Sequence, residues 1–390
     1  MLRSLYSGIS GLRAHQTMLD VTGNNIANVN TAGFKSSSTE FQDTLSQLQQ
    51  GASGPQAGTG GSNPAQVGLG VRVAGISTNF AQGSSQSTGR ATDLMISGDG
   101  FFVTSKGGNQ LFTRAGAFSP DAANQLVSPD GGILQGWTAT NGVVNAGSPI
   151  GDITLNPNTM VAKATNSVTL DGNLPAEGTT VDRVVKVYDA TGAERNLSLN
   201  VTGAGNSWTV NATDDNGSVS SAVLTFNNGQ LQGTGTMTVG TGASQIKVDL
   251  SKVSSYAKMD SLSVSGQDGA PVGKLESYTL GNDGSLIGSF SNGIKQVLAK
   301  IALAKFTNPG GLEKAGSSSY VATGNSGGVQ LGAPGDPGMG TLTSGSLEMS
   351  NVDLSQEFTN LIVAQRGFQA NARIITTSDQ VLQELVDLKH

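Results

Sequence analysis

Apolar residues recur at both ends of the chain in alternating steps of three and four. From the N-terminus they are Leu2, Leu5, Ile9, Leu12, Leu19 and Ile26, with Gln16 and Gly23 filling the two gaps. From Leu354 the row runs Leu354, Phe358, Leu361, Phe368, Ala372, Ile375, Leu382 and Val386, with polar Gln365 and Asp379 on it. This stepping is the heptad signature of helices that pack along a seam. It predicts one helix over 2–27, about 38 Å long at 1.5 Å per residue, and a second from about Ser350 to Leu388. The run NNIANVNTAGFK at 24–35 ends the first helix, because Asn and Gly tolerate left-handed backbone and Asn side chains bond nearby main chain. A short helix is predicted over Ser38–Gln50. The Gly-rich stretch 51–70 that follows reads as a flexible or extended linker.

Between the helices the period changes to two. Runs such as VRVAGIS and LMISGDGFFVTS alternate over 71–150, punctuated by Asp99-Gly100, Asp130-Gly131 and Asn141-Gly142. Residues 151–275 form a second β-rich block. Its hairpins are VVKVYDATGAERNLSLNV and WTVNATDDNGSVSSAVLTFNNGQLQ, with turns at Thr191-Gly192, Asn216-Gly217 and Asn228-Gly229. Strands return over 276–345.

The fold class expected is α+β, mainly β: paired terminal coiled-coil helices around two nested β-rich domains. Pairing the terminal helices joins the chain ends and forces the nesting. The domains are then 1–27 plus 350–390, helical; 28–70, a turn and Gly-rich bridging segment; 71–150 plus 276–349, an inner β domain; and 151–275, an outer β domain. The second helix also carries apolar residues off its seam, at Ile362, Val363, Ile374, Val381 and Leu385. A wide apolar face on a long helix calls for more than one neighbour, so self-association is expected.

Composition narrows the chemistry. Charged residues are 13% of the chain, about half the usual globular share. Net charge is −6 without a basic run, which excludes a nucleic-acid footprint. No stretch has the length and apolarity of a membrane span, and no cleavable signal opens the chain. Cys is absent, so disulfides and thiolate chemistry are excluded. The only histidines are His15 and His390, which leaves no partner for a nucleophilic Ser and no zinc cluster. GLGVRVAG at 68–75 lacks dinucleotide-binding spacing, and Asp214-Asp215-Asn216 lacks the closing Glu of a calcium loop. The N-x-[ST] matches at Asn196, Asn200, Asn211 and Asn216 are expected by chance in so Ser/Thr/Asn-rich a chain. No catalytic, cofactor-binding or metal-binding residue is assigned, and no enzyme activity is expected.

Several segments resemble the bacterial flagellar rod and hook (axial) proteins. They are LDVTGNNIANVNTAGFKSS at 19–37, NVDLSQEFTNLIVAQRGFQANARIITTSDQVLQELVDL at 351–388, and between them GLGVRVAGI, TGRATDLMISGDGFFV, LFTRAGAFSPD and ALAKFTNPGGLEKAG. The middle block, and SYTLGNDGSLIGSFSNG at 277–293, resemble the hook branch of that family. The 51–70 stretch is richer in Gly than is usual there. The resemblance implies a subunit that stacks helically into a flexible hollow tube, a universal joint passing motor torque to the filament. It implies self-assembly contacts at Leu2, Leu5, Ile9, Leu12, Leu19, Leu354, Phe358, Leu361, Phe368, Ile375 and Leu382. It also implies a turn between inner and outer layers at Asn24, Asn25, Asn28, Asn30, Thr31, Gly33 and Phe34. Implied partners are further copies of the chain, the rod, hook-cap and hook–filament junction proteins, and the flagellar type III export apparatus. The implied location is extracellular, in the flagellum, reached without signal cleavage. Two other readings stay open: a distal rod protein with an enlarged middle domain, and an extracellular β-domain adhesin.

Overall fold

The computed structural model describes residues 2–55, 58, 60–156, 159–242 and 245–387. The chain is mainly β with two long helices, α1 (Leu2–Ala27) and α2 (Leu354–Asp387). α1 ends where the Asn run begins to bond to itself: the Asn28 backbone N–H and side-chain Nδ2 both donate to the Asn24 carbonyl, at 3.2 and 2.9 Å. α2 starts at Leu354, where its heptad row begins, rather than at about Ser350, because Asp353 caps it. Asp353 Oδ1 accepts from the Ser355 and Gln356 N–H groups at 2.9 and 3.3 Å, satisfying two of the free donors of the first turn.

The chain divides into two compact units, Met1–Leu155 with Leu280–Leu286 and Val297–His390, and Asn156–Thr279 with Ile287–Gln296. In the first, α1 is followed by β1 (Ser37–Asp43), β2 (Ser46–Gln50), β3 (Ala65–Gly68) and β4 (Val71–Thr78). β1 pairs antiparallel with β4, and β2 with β3, so 37–78 is one long two-stranded ribbon, bridged near its tip at Ser53 and Ser62. The short helix expected over Ser38–Gln50 is therefore not formed. The main-chain groups of that segment find partners across the ribbon in 65–78 instead. The 51–70 stretch supplies the tip and returning arm of this ribbon; residues 56, 57 and 59 within it lie outside the described residues.

The body of this unit interleaves early and late chain. Ser85–Ser87 pairs with Ser346–Glu348, and Leu94–Ser97 with Thr341–Ser344. Phe101–Lys106 pairs with Asn109–Thr113, and its first residues with Leu303–Lys305. Phe101, Val103, Phe112, Phe306 and Tyr320 pack as its aromatic core, with rings meeting edge to face at 4.8–6.1 Å.

In the second unit, Thr179–Tyr188, Glu194–Ala204, Ser207–Asp214 and Val219–Asn227 run as an antiparallel meander. Ser167–Pro175 lies parallel to Ile246–Tyr256 in the same sheet. Alternate residues Val185, Val187, Leu197, Leu199, Trp208, Val210, Leu224 and Phe226 face the core, the period-two pattern of strands with one buried face. Arg183 holds one sheet edge: its Nε donates to the Leu262 carbonyl at 2.7 Å and its guanidinium meets Asp260 at 3.0 Å.

Candidate self-assembly surface

α1 and α2 lie antiparallel, and their closest approach runs through small residues. A Cβ on Gly11 would stand 2.8 Å from the Asn371 side chain, and one on Gly367 would stand 2.5 Å from the His15 ring. A Cβ on Gly8 would meet Ile374, Ile375 and the Asn371 carbonyl at 3.5 Å, ordinary contact. Ala364 is fully buried on the same line. Interior glycines cost a helix about 1 kcal/mol each relative to alanine; at Gly11 and Gly367 that cost is set against an approach in which a larger residue would displace the Asn371 or His15 side chain.

This seam is one residue out of phase with the row of large apolar residues. The row is shared only at Leu361, Phe368, Ile375 and Leu382; the intervening positions are Glu357, Ala364, Asn371 and Ser378, not Phe358, Gln365, Ala372 and Asp379. Gln16, Gly23, Gln365 and Asp379 are all exposed, so the expected polar breaks in the seam are not in it. The heptad row rewards bulk, whereas the contact selects residues that let two backbones come close.

The consequence is apolar surface left over. Leu5, Ile9, Leu12 and Leu19 on α1, and Leu361, Phe368, Ile375 and Leu382 on α2, are only partly buried. Leu354 is 40% exposed, Phe358 51%, Ile362 57%, Val363 54% and Ile374 43%. The side chain of Leu2 lies outside the described residues, as does His390. Exposed large aliphatic and aromatic groups thus cluster over 354–363 and recur at Ile374, which makes this face of α2 a candidate interaction surface.

Below the helix pair, the Asn24–Phe34 turn is locked to the start of α2. Asn25, buried, is bound to both the N–H and the carbonyl of Ser37, and its Nδ2 also donates to Glu357 Oε1 at 3.0 Å. Asn28 Oδ1 accepts from Thr31 Oγ1 at 3.0 Å, whereas Asn24 and Asn30 are exposed. Gly33 has φ +69°, and a Cβ there would stand 2.4 Å from the Ala115 nitrogen. Its N–H donates to the Glu348 carbonyl at 2.7 Å. Phe34 lies under the Lys314 ammonium, 5.6 Å from the ring centroid.

Sequence reasoning missed the charged residues at the centre of this junction. Lys35 and Glu348 are both fully buried and paired at 2.6 Å. Lys35 Nζ also donates to the Ala81 carbonyl at 2.8 Å. Glu348 Oε1 accepts from the Gly83 N–H at 2.9 Å, and its Oε2 meets Arg114 at 3.3 Å. Burial pushes the Lys35 pKa below its ordinary value; the Glu348 carboxylate opposes that shift. Asn351 adds bonds to the Ser36 N–H and the Asn79 carbonyl, both at 2.8 Å. Four segments far apart in sequence are thus fastened around one carboxylate. The only signal in the sequence was a charged residue inside each of the small or apolar runs AGFKSS, FTRAG and GSLEMS.

The ribbon is the other unpartnered feature. Its base touches α1, where the Val71 N–H donates to Ser10 Oγ at 3.2 Å and Phe41 meets the His15 ring at 5.9 Å. Its outer half, β2 and β3, is exposed throughout, including Leu48 and Val67. Among the described residues, no three His, Cys, Asp or Glu side chains converge as a metal site, and no helix is long and apolar enough to cross a membrane.

Comparison with known proteins shows the family. Residues 5–35 match the family model described as flagella basal body rod protein, 95–176 the D1 domain of the flagellar hook protein FlgE/F/G, and 343–388 the C-terminal part of the flagellar basal body rod FlgEFG proteins. The chain is 43% identical to the flagellar hook protein of Borreliella burgdorferi over 443 aligned positions, covering all of both chains. It is 37% identical to the hook protein of Salmonella typhimurium over 420 positions, covering 99% of this chain and all of the relative. It is 35% identical to a flagellar basal-body rod protein of Bacillus subtilis over 390 positions, covering all of both.

Proposed function

The chain belongs to the flagellar hook protein family and is a structural subunit of the bacterial flagellar hook, and from that premise we propose that its terminal helices form the inner wall of the tube. The observation that carries this reading is the apolar surface left exposed on the helix pair. Ile362, Val363 and Ile374 on α2 would be covered by α1 and α2 of neighbouring copies, joined by Leu2, Leu5, Ile9, Leu12, Leu19, Leu354 and Phe358. Covering a large aliphatic side chain is worth roughly 1.5–3 kcal/mol, so a few such contacts per copy hold the wall together. The family is structural, not enzymatic. The subunit would leave the cell through the flagellar type III apparatus without signal cleavage. It would meet the rod at one end of the tube and the hook-cap and junction proteins at the other.

The ribbon fits the same assembly. Two strands with no sheet behind them are marginal in water, and β2–β3 carries exposed apolar residues on a Gly-rich tip. The ribbon would lie on a neighbouring copy as a compliant spacer between subunits. Deleting residues 51–66 is then expected to straighten, stiffen or destabilise the tube, as seen by electron microscopy of isolated hooks. Unchanged curvature and unchanged swimming would remove the spacer role.

Electron microscopy of basal bodies labelled with an antibody against residues 160–270 tests the assignment in the cell. Label along the flexible segment outside the envelope is the expected result. Label confined to the straight rod would make the chain a rod protein with an enlarged middle domain, and no label on the organelle would favour the adhesin reading.

A further inference from the structure

We propose that three side-chain pairs fix the register in which α1 meets α2, and thereby decide which helices pair in a tube of identical copies. The proposal rests on the reading of these helices as the tube wall.

The pairs are Gly11 with Asn371, His15 with Gly367, and Asn25 with Glu357. Moving from residue 11 to 15 on α1 takes the contact from 371 to 367 on α2. Moving on from 15 to 25 takes it from 367 to 357. One antiparallel register, without slip, therefore runs over about 21 Å of helix at 1.5 Å per residue.

Each pair is a shape or hydrogen-bond match that its neighbours do not repeat. Asn371 fills the space above Gly11, and its amide is held there by donating to the Gly367 carbonyl of its own helix at 2.9 Å. His15 fills the space above Gly367. These are projections and hollows in opposite senses, one large residue on each helix. Asn25 supplies the hydrogen bond to the buried Glu357 carboxylate.

The apolar rows do not have this property. Leu5, Ile9, Leu12 and Leu19, like Leu361, Phe368, Ile375 and Leu382, recur at heptad spacing. They accept a slip of seven residues almost as well as the native register. Such a slip, about 10 Å along the axis, sets Asn371 against Met18 or Ser4 and His15 against Ile374 or Asn360. It also removes Asn25 from Glu357, leaving a buried carboxylate short of a donor. In a tube, every α1 has α2 helices of several identical copies beside it. The three non-repeating pairs are what separate the correct partner and register from the slipped ones.

The test uses the absence of native Cys. The full chain carrying Arg13→Cys and Gln369→Cys, both at exposed positions on the same level of the pair, is spin-labelled. It is assembled into tubes with a large excess of unlabelled chain, and the intrachain distance is read by pulsed electron resonance. One narrow distance is expected. Gly11→Leu should broaden it or move it by about 10 Å, although leucine is a better helix former than glycine. Gly23→Ala should leave it unchanged, since nothing lies within 4 Å of that position. Exchanging the pair, Gly11→Asn with Asn371→Gly, should restore the narrow distance. An unchanged distance in Gly11→Leu tubes overturns the proposal. If Gly11→Leu does not assemble, the exchanged chain decides: failure to recover both tubes and the native distance overturns it. Failure of the underlying reading is separately visible as native distances in a chain whose helices stay exposed to solvent in the tube.

Discussion

Replacing Glu348 with glutamine is expected to destabilise strongly the unit that carries the helices. The substitution leaves two cations, Lys35 and Arg114, in a site where both lie within 3.3 Å of the same carboxylate and almost no solvent reaches them. Taking away one partner of a buried ion pair costs about 3–5 kcal/mol, because the remaining charge keeps its desolvation penalty and loses its attraction. Glutamine also puts a donor where an acceptor oxygen stood, either at Oε1, which faces both the Gly83 N–H and Lys35, or at Oε2, which faces Arg114. For a domain of this size the loss corresponds to a fall of roughly 6–20 °C in the unfolding midpoint. Calorimetry on the full chain measures it. A matched control is Lys186→Gln, which breaks the exposed Lys186–Glu194 pair at 3.1 Å and should cost under about 1 kcal/mol. A Glu348→Gln midpoint within about 2 °C of the native chain would show that the junction is not held by this carboxylate.

The second large effect is on assembly rather than folding. Ile362→Asp combined with Ile374→Asp is expected to abolish tube formation while leaving the subunit folded. Both side chains are about half exposed in the isolated chain, so the substitution removes little packing within it. In a tube they would be covered, and each buried aspartate would bring a carboxylate into an apolar contact without a partner. Losing two aliphatic contacts alone, at roughly 1.5–3 kcal/mol each, raises the concentration needed for assembly by two to four orders of magnitude. Sedimentation and electron microscopy read the assembly, and circular dichroism reads the fold. Tubes at the native concentration would place the contacts elsewhere.

How much of this was legible in the sequence depended on whether the deciding interaction was local. α1 was readable to its last residue because the heptads and the Asn run both act within a few positions. The hairpins at Thr191-Gly192, Asn216-Gly217 and Asn228-Gly229 were readable for the same reason. The segment 38–50 was not. Its Glu, Gln and Leu favour a helix, but its strand partners lie up to 39 residues away, as in the pairing of Ser38 with Ser77. The phase of the helix seam was missed by one residue, since large apolar groups signal burial whereas this contact is made by Gly11, Ala364, Gly367 and Asn371. Gly8, Gly11 and Gly367, three of the four glycines inside the helical patterns, were the available hint of close approach. The motif turn was recognisable, but Lys35 and Glu348 are 313 residues apart, and nothing local marks them as a pair.

The terminal helices supply the tube's cohesion in this account, and the ribbon and register pairs refine how copies meet. Helical reconstruction of wild-type tubes by electron cryomicroscopy tests that most directly. The account predicts Ile362, Val363 and Ile374 of one copy buried against α1 or α2 of its neighbours. Those side chains facing solvent, with copies joined only through their β-rich parts, would contradict it.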